Sequence, residues 1–552
     1  MKNVNLIIKN KSVQVEKNLS CYEIMKKYNL HNDIPITLCR VNGTLKELST
    51  VINEDCKLDF INIEDKFGMT TYVRTLQFVL IKATLDIFKD AEITIEHSLS
   101  KGLFGEIYKD KKLDENDIQL IKERMMQIIK EDIKINKISF PIEKAIEIFK
   151  EYGMEDKVKL LKYREDLQKV NLYELDGRYD YFYGPMAYST GVLKTFDLIC
   201  YGTGYILRFP EIDNVRKLPK FEEHKKLSKI FYETEQWAKK FGISDVGSLN
   251  KIINDNEIEK LIMVTEALHE KNIAKIADKI CENKNMNIVL IAGPSSSGKT
   301  TFSKRLAIQL SVNGAVPIPI SLDDYFLDRE NTPRDEKGEY DFESIYALDL
   351  QLFNEHLKKL LNGEEIEVPN FNFKTGKREW LGKQLKLPKD GVLIVEGIHG
   401  LNEMLTSSIE KERKFKIYIS PLTQLNLDDH NRIATTDVRI LRRIVRDFLS
   451  RGCGGEDTLK MWSSIRRGEE KNIFVFQEEA DVMFNSALSY ELSILKKYAL
   501  MELLKIKENS PVYDEAKRLI SFLKFFKEVD KDLVPKNSLM REFIGGSCFY
   551  EY

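Results

Sequence analysis

The chain has 552 residues, which is too long for a single hydrophobic core, so we expect several domains. Hydrophobic residues make up 43% of the chain and charged residues 31%, an ordinary composition for a folded protein and not that of a disordered one. The formal net charge of −2 excludes a global field that would attract nucleic acid or an anionic membrane.

Three further absences narrow the class of protein. No apolar run approaches the roughly 20 residues that span a bilayer, and the first residues lack the long apolar core of a signal peptide. The seven cysteines contain no CxxC pair, so neither a disulfide framework nor a zinc ribbon is expected. We therefore expect a cytoplasmic protein without a membrane partner.

Residues 1–62 are predicted to form a small β-grasp domain. Ser20 can cap a helix that runs to Lys27, and Asn42-Gly43 is a strong hairpin turn. Strands are expected at residues 4–8, 12–15, 36–41, 45–48 and 56–63. The order of these elements resembles the TGS domain at the N-terminus of threonyl-tRNA synthetases.

Residues 63–225 are predicted to form an α+β domain with helices over 72–88 and 117–136 and a strand-rich region over 179–209. One phrase in it is specific, Asp180-Tyr-Phe182-Tyr-Gly184-Pro185-Met186. It resembles the Asp-x-Cys-x-Gly-Pro-His phrase of the accessory editing domain that follows TGS in threonyl-tRNA synthetases. The earlier His97-Ser-Leu-Ser-Lys101 is similar to the His-x-x-x-His of that domain.

The departures from this motif matter for function. Phe182 stands at the cysteine position, Met186 at the final histidine and Lys101 at the second histidine of the earlier pair. Only His97 remains, and one histidine cannot assemble a metal or hydrolytic site. We expect a degenerate site on a retained scaffold, without editing chemistry.

The rest of the chain divides into three predicted regions. Residues 226–285 are charged and have helical periodicity, so they are expected to form a helical connector. Residues 286–500 are the predicted nucleotide-binding domain, of α/β class with a parallel sheet. Residues 501–552 form a C-terminal tail with a helix around 512–527.

A complete phosphate-binding loop follows the apolar run 288–292 and opens into a helical stretch that begins at Thr301. The loop consists of Gly293, Pro294, Ser295, Ser296, Ser297, Gly298, Lys299 and Thr300. We expect these residues and Thr301 to bind ATP, with Lys299 on the outer phosphates and the Thr300 hydroxyl on Mg²⁺.

Two acids after buried strands extend this site. Asp323 follows the strand 315–321, and Glu396 ends the strand 391–396. In a parallel sheet both would lie beside the loop, where Asp323 can accept a proton and help to hold Mg²⁺, and Glu396 can hold Mg²⁺ with Thr300. For Asp323 and its neighbour Asp324, a helix cap is the competing interpretation, and position alone favours it.

A basic helix is the third element. Its arginines share one face because they lie at i, i+3, i+4 and i+7. They are Arg439, Arg442, Arg443 and Arg446. We favour a lid that closes over ATP and stabilises charge on the transferring phosphoryl group. The alternatives are surface ion pairs, such as Arg443 with Asp447, and a groove for nucleic acid.

From about Asn287 to Tyr498 these motifs resemble the uridine kinase–phosphoribulokinase family, and within it the uridine kinase branch. The resemblance makes Asp323 the general base for a 5′-hydroxyl and Asp341 a partner for the ribose hydroxyls. It places aromatic residues around the acceptor. These are Phe326, Tyr340, Phe371 and Phe373. Gly376 stands where uridine kinases carry a histidine that reads the pyrimidine edge, so a hydrogen-bond partner is lost and space is left.

The sequence therefore predicts a nucleoside kinase that transfers the γ-phosphate of ATP to a 5′-hydroxyl with Mg²⁺. Lys299, Arg439, Arg442 and Arg443 are expected to act in catalysis with Asp323, and Arg446 to bind the nucleotide. A sugar-phosphate kinase of the phosphoribulokinase type is the nearest alternative. The other is an RNA-binding regulator that uses ATP as a switch, although residues 63–285 have no long basic run.

Overall fold

The computed structural model describes residues 3–550 except 31–32, 165, 284, 335–337, 339, 373 and 424. The chain divides into two compact units. The first comprises Met1–His224, Phe241–Lys251 and Gln424–Ala434, and the second comprises Lys225–Lys240, Ile252–Thr423 and Thr435–Tyr552. The short stretch 424–434 therefore belongs to the first unit although it lies far along the chain from the main part of that unit.

The first unit begins with a β-grasp sheet. Its elements are β1 Asn3–Ile8, β2 Lys11–Glu16, β3 Leu19–Ser20, α1 Cys21–Lys27, β4 Ile36–Val41, β5 Thr44–Glu47, β6 Val51–Ile52 and β7 Cys56–Asn62. The five-stranded sheet has the order β2-β1-β7-β4-β5, with β1 and β7 parallel. α1 begins at a capping box, in which Ser20 Oγ accepts from Glu23 N at 3.2 Å and Glu23 Oε2 accepts from Ser20 N at 2.7 Å.

The remainder of the first unit is an α+β arrangement around α2. Its elements are α2 Lys66–Ile87, β8 Glu92–Ile93, β9 His97–Leu99, β10 Gly102–Gly105, β11 Ile107–Tyr108, α3 Glu115–Lys130, β12 Asn136–Pro141, α4 Ile142–Glu151, α5 Glu155–Lys162, β13 Lys169–Leu175, β14 Arg178–Asp180, β15 Asp197–Tyr201 and β16 Gly204–Arg208. The main sheets have the orders β15-β16-β10-β9 and β12-β13-β14. Leu76 of α2, Ile121 of α3 and Tyr205 of β16 share one core and are fully buried.

One predicted helix in this region was too long. The helix expected over 117–136 ends at Lys130, and Asn136 begins β12. Asp132 has a φ of 49°, which an α-helix does not accommodate, so the chain turns there. Asn136 then pairs with Glu174 of β13.

Residues 226–285 contain three helices, α6 Lys225–Lys240, α7 Val246–Asn254 and α8 Ile258–Glu282. They are divided between the two units and do not form a unit of their own. The start of α7 belongs to the first unit because Val246 N donates to Asn426 O at 2.9 Å.

The second unit is built on a parallel sheet of the order β18-β21-β17-β22-β23. Its elements are β17 Ile288–Ala292, α9 Lys299–Val312, β18 Val316–Ser321, α10 Leu350–Leu361, β19 Glu365–Asn372, β20 Lys377–Lys386, β21 Gly391–Glu396, β22 Lys414–Ser420, α11 Thr435–Arg451, α12 Gly455–Asn472, β23 Val482–Asn485, α13 Glu491–Leu503, α14 Tyr513–Leu523 and α15 Arg541–Ile544. β17 and β22 are buried at every position, as expected for a parallel sheet covered on both faces. β17 lies at the centre, so the loop that follows it opens at the carboxyl edge of the sheet.

The C-terminal tail is part of the second unit's core. The helix expected around 512–527 is the shorter α14, and α15 follows after an irregular segment. Phe526, Leu539 and Phe543 are each at most 1% exposed. No helix among the described residues combines the length and apolar character needed to cross a bilayer.

Candidate nucleotide-binding and phosphoryl-transfer site

The loop 293–298 joins the carboxyl end of β17 to the first turn of α9. Gly298 has a φ of 87°, a left-handed conformation that glycine adopts without strain. A side chain at Gly293 would lie 2.1 Å from Ile419 O of β22, so the close approach of the two strands requires glycine. Both glycines thus shape the loop that places the N-terminus of α9, an anion-binding feature, at the edge of the sheet.

Lys299 lies across the mouth of this loop. Its Nζ donates to Gly293 O at 3.0 Å and to Pro294 O at 3.2 Å. Burial lowers the pKa of Lys299, and the carboxylates of Glu396 and Glu542 oppose that shift. The ammonium group is therefore held close to the position where the outer phosphates of a nucleotide would lie.

Thr300 and Glu396 meet because β17 and β21 are parallel neighbours whose carboxyl ends coincide. Thr300 Oγ1 donates to Glu396 Oε1 at 3.1 Å and also lies 3.3 Å from Oε2. Burial raises the pKa of Glu396 to about 7, an effect that Lys299 partly offsets. A hydroxyl and a carboxylate are hard oxygen donors of the kind that Mg²⁺ prefers, so this pair fits the ion.

Asp323 lies in a short 3₁₀ turn, Leu322–Tyr325, directly after β18. The cap of this turn is Ser321, whose Oγ accepts from Asp323 N at 3.2 Å. The Asp323 side chain is open to water on one side, yet the surrounding protein still raises its pKa through desolvation, against the cations of Lys299 and Arg451. Asp324 differs, since its Oδ1 accepts weakly from Phe371 N at 3.5 Å. The two aspartates thus have different surroundings, and Asp323 is the one beside the loop lysine.

Two of the four predicted lid arginines bind backbone carbonyls of the phosphate loop. Arg439 is 1% exposed, pairs with Glu469 and donates to Ser295 O at 2.9 Å. Arg442 is fully buried and donates to Glu491 Oε2 at 2.5 Å and to Ser296 O at 3.3 Å. The prediction that all four arginines form a moving lid is therefore wrong. Arg439 and Arg442 are neutralised by buried carboxylates and brace the loop carbonyls.

The remaining arginines of α11 gather on one carboxylate. Asp447 pairs with Arg443 at 3.0 Å, Arg446 at 3.1 Å and Arg451 at 3.4 Å. Arg443 also donates to Ser295 Oγ at 2.6 Å. Three guanidinium groups on one carboxylate leave a local excess of positive charge, and Arg451 and Arg446 both act on Asp323.

The predicted acceptor residues lie on the hairpin β19–β20 and the loop before α10. Phe326 and Phe371 form a tilted pair with ring centroids 5.6 Å apart. The Arg334 guanidinium lies 4.2 Å from the ring centroid of Tyr340. Asp341 Oδ1 accepts from the backbone two residues later, Glu343 N, at 3.2 Å. Phe373 lies outside the described residues.

The space expected at Gly376 is filled. Gly376 has a φ of 70°, and a Cβ there would lie 2.8 Å from Arg329 Nε and 2.9 Å from its Cζ. Arg329 N also donates to Gly376 O at 2.8 Å. The expectation of open space was therefore wrong, because a guanidinium group lies where the resemblance placed a base-reading histidine.

Three carboxylates at the site were not predicted. Glu469 Oε1 accepts from Ser295 N at 2.8 Å, and Glu542 Oε2 accepts from Thr301 N at 3.0 Å. Burial and the nearby Glu469 raise the pKa of Glu343 to about 7. Glu343 follows Asp341 by two residues and could have been noticed. Glu542 gives no local signal, since it lies 241 residues after Thr301.

In the first unit, the positions of the cysteine and the final histidine of the editing motif belong to hydrophobic core. Phe182 and Met186 are 3% and 2% exposed, and the Phe182 ring lies 4.9 Å from that of Phe78. Burial lowers the pKa of His97 to about 3, so its ring is neutral. Lys101 pairs with Glu211 at 3.1 Å. Among the described residues, no three His, Cys, Asp or Glu side chains are grouped so that they could hold a metal ion.

The parallel sheet, the phosphate loop after its central strand and the acid at the end of β21 define the second unit as a P-loop nucleotide-binding fold. Residues 288–492 match the model of the Phosphoribulokinase / Uridine kinase family. The resemblance predicted for this region is thereby confirmed, and the region has a P-loop kinase fold.

Solved kinase structures are similar at low identity. One, titled a "Possible Uridine Kinase" from Bacillus stearothermophilus, is 16% identical with a TM-score of 0.26 and covers 38% of this chain and 96% of its own. D-glycerate 3-kinase from Cryptococcus neoformans is 14% identical with a TM-score of 0.20 and covers 48% and 89%. Similarity of this size carries no argument about the acceptor.

Curated relatives match the N-terminal region. Threonine–tRNA ligase of Rickettsia akari is 30% identical over 186 residues, 34% of this chain and 29% of the relative. That of Acetivibrio thermocellus is 30% identical over 165 residues, 30% of this chain and 26% of the relative. The predicted resemblance to threonyl-tRNA synthetases is confirmed, while the chain spans less than a third of the length of these relatives.

Proposed function

We propose that the second unit is an ATP-dependent phosphotransferase that phosphorylates a hydroxyl group, with the 5′-hydroxyl of a nucleoside as the favoured acceptor. The observation that carries the proposal is the convergence of Lys299, the Thr300–Glu396 pair and Asp323 at one edge of the sheet. A protein that only bound the nucleotide would need just the phosphate loop and Lys299. A solvent-accessible aspartate beside them adds a group that can take a proton from an acceptor.

Each group has a role in this reaction. Lys299 binds the outer phosphates. Asp323 accepts the proton of the acceptor hydroxyl. At the same time the hydroxyl oxygen forms a bond to the γ-phosphorus, and the bond between this phosphorus and the ADP oxygen breaks. Arg446 and Arg451 stabilise the charge that develops on the phosphoryl oxygens. Thr300 and Glu396 would hold Mg²⁺, which when bound draws charge away from the phosphates.

The residues predicted to contact the acceptor favour an acceptor with a flat ring, but they also support a second class of acceptor. Phe326, which is partly buried and packs against the buried Phe371, is an aromatic residue of the kind that stacks on a nucleoside base. Arg329, whose side chain lies against Gly376, has a guanidinium group of the kind that binds an anionic acceptor. A sugar-phosphate kinase of the phosphoribulokinase type is therefore the second candidate function.

A panel of nucleosides and sugar phosphates incubated with Mg·ATP, with products identified by mass, tests both candidates. A nucleoside monophosphate supports the first, and a sugar bisphosphate supports the second. If ATP binds while no acceptor gains a phosphate, the kinase proposal fails. An ATP-switched regulator would then be favoured, with RNA as the partner of the synthetase-like N-terminal region.

A further inference from the structure

The C-terminal segment 538–550 lies against the phosphate loop. A Cβ at Gly298 would overlap the Leu539 side chain, so Leu539 covers this glycine directly. Glu542 Oε2 accepts from Thr301 N at 3.0 Å and from Thr301 Oγ1 at 2.9 Å. Tyr550 Oη lies 2.5 Å from the same hydroxyl. The segment thus contacts both the last glycine of the loop and the first turn of α9.

The two groups of Thr301 that donate to Glu542, its N–H and its hydroxyl, are donors of the kind that bind phosphate. Thr301 is the third residue of α9, so its N–H is among the first four that have no partner within the helix. Such N–H groups at the end of a phosphate loop bind phosphate oxygens. With Lys299 assigned to the outer phosphates and Thr300 to the metal, we expect Thr301, the next residue along the helix, to face the inner phosphate. The negatively charged Glu542 carboxylate therefore occupies the position where a phosphate group of the nucleotide is expected.

The carboxylate is firmly held where it is. Glu542 is 7% exposed, and its neighbours Phe543 and Ile544 are buried. Arg541 donates to Val534 O at 2.5 Å and to Lys531 O at 3.1 Å, which fixes the turn before α15. A triphosphate bound to Thr301 would bring further negative charge against Glu542, in an enclosed site where like charges repel strongly.

From this geometry we infer that segment 538–550 is a built-in competitor for the inner phosphate of the nucleotide, so that complete binding of ATP requires Glu542 to leave Thr301. The inference rests on the proposed function of the loop. A carboxylate that merely capped α9 would stay in place when ATP binds, whereas a competitor is displaced.

Calorimetric titration of ATP and of inorganic pyrophosphate into wild-type protein and Glu542→Gln separates these cases. ATP needs the donors of Thr301, so we expect the variant to bind it at least tenfold more tightly. Pyrophosphate can bind through the outer donors alone, and its affinity is expected to change less than threefold. Glu528→Gln is the matched control, because Glu528 is an exposed acid of the same C-terminal region, paired with Lys497 at 3.8 Å, and should leave both affinities unchanged.

Hydrogen exchange of the wild-type protein provides a second readout that needs no variant. Amides of residues 541–545 are expected to exchange faster when ATP is bound, and slower exchange would overturn the inference. Equal ATP affinity in wild type and a folded Glu542→Gln would also overturn it while leaving the proposed function intact. If neither the wild-type protein nor Glu542→Gln binds ATP, both the proposed function and the inference fail.

Discussion

Beside the phosphate loop, Lys299 lies near the carboxyl groups of Glu396 and Glu343. Burial lowers the pKa of Lys299 and raises the pKa of both Glu396 and Glu343 to about 7. Near neutral pH this site can therefore gain or lose protons at two acids. The charge that Mg²⁺ and phosphate meet there depends on pH more steeply than for ordinary surface carboxylates.

Asp323→Asn should strongly lower the rate of phosphoryl transfer while leaving nucleotide binding in place. The amide cannot accept the hydroxyl proton, and loss of a general base typically lowers the rate by about 10²–10⁴-fold. The turnover number and the Kd for ATP are the quantities to measure. Asp324→Asn is the control, since Asp324 only accepts weakly from the Phe371 backbone. Full activity in Asp323→Asn would show that the base is another group.

The contribution of Glu396 and Glu343 to the stability of the ligand-free protein should fall as pH rises from about 5 to 8. Glu396 and Glu343 have pKa values raised to about 7, so the folded state holds protons that the unfolded state has lost. The stability they contribute is complete below their ordinary pKa and is lost as pH rises through 7. Thermal melts of wild type and Glu396→Gln at successive pH values test this, because the stability of wild type relative to the variant should decrease as pH rises through 7. A difference between the two proteins that stays constant over this range would contradict the assignment.

At the scale of elements, α11 combines structural and functional arginines on one helix. Periodicity in the sequence correctly placed the arginines together, and α11 spans the expected residues. It could not tell which ones are buried, because their partners Glu469 and Glu491 come from α12 and α13. Local spacing specifies a face, whereas the packing of neighbouring helices determines what that face contacts.

Arg442→Ala and Arg446→Ala should therefore fail in different ways. Removing Arg442 leaves Glu491 buried without its partner, which typically costs about 3–5 kcal/mol of stability. Removing Arg446 leaves Asp447 with two other arginines, so the free energy of unfolding should change by less than about 1 kcal/mol. Its activity should fall by about 10²–10³-fold if it stabilises the transition state. Chemical denaturation and initial rates distinguish the two, and equal stability losses would refute the division.

At the scale of the whole molecule, the features predicted from the sequence are those formed by residues that are close together along the chain. The loop 293–300, the strand that ends at Glu396 and the β-grasp order each depend on neighbouring residues, and each is present in the fold. The stretches 241–251 and 424–434 of the first unit were not predicted, and neither was Glu542 at the loop. Those positions depend on contacts between distant residues, for which one sequence gives no periodic or spacing signal.

A buried ionic cluster of the first unit tests this arrangement. Lys157 is 1% exposed and pairs with Asp428 at 2.7 Å and Asp180 at 3.1 Å. Asp428→Ala should destabilise the first unit by about 1–3 kcal/mol, because Lys157 keeps only Asp180 while His430 N and Asn431 Nδ2 lose their acceptor. Glu147→Ala breaks an exposed pair with Lys144 and should cost at most about 1 kcal/mol. Equal, small effects in denaturation would mean that residues 424–434 are not integral to this unit.

The position of residues 424–434 in the first unit also bears on how the protein is made. Domains usually fold in the order in which they leave the ribosome. Lys157 cannot pair with Asp428, nor Asp180 with His430, until residue 430 has been synthesised. This buried ionic cluster is therefore completed only after four of the five strands of the second unit's sheet have been made. A nascent chain stopped at residue 225 would contain every residue of the core around Leu76, Ile121 and Tyr205, but Lys157 and Asp180 would lack these two partners.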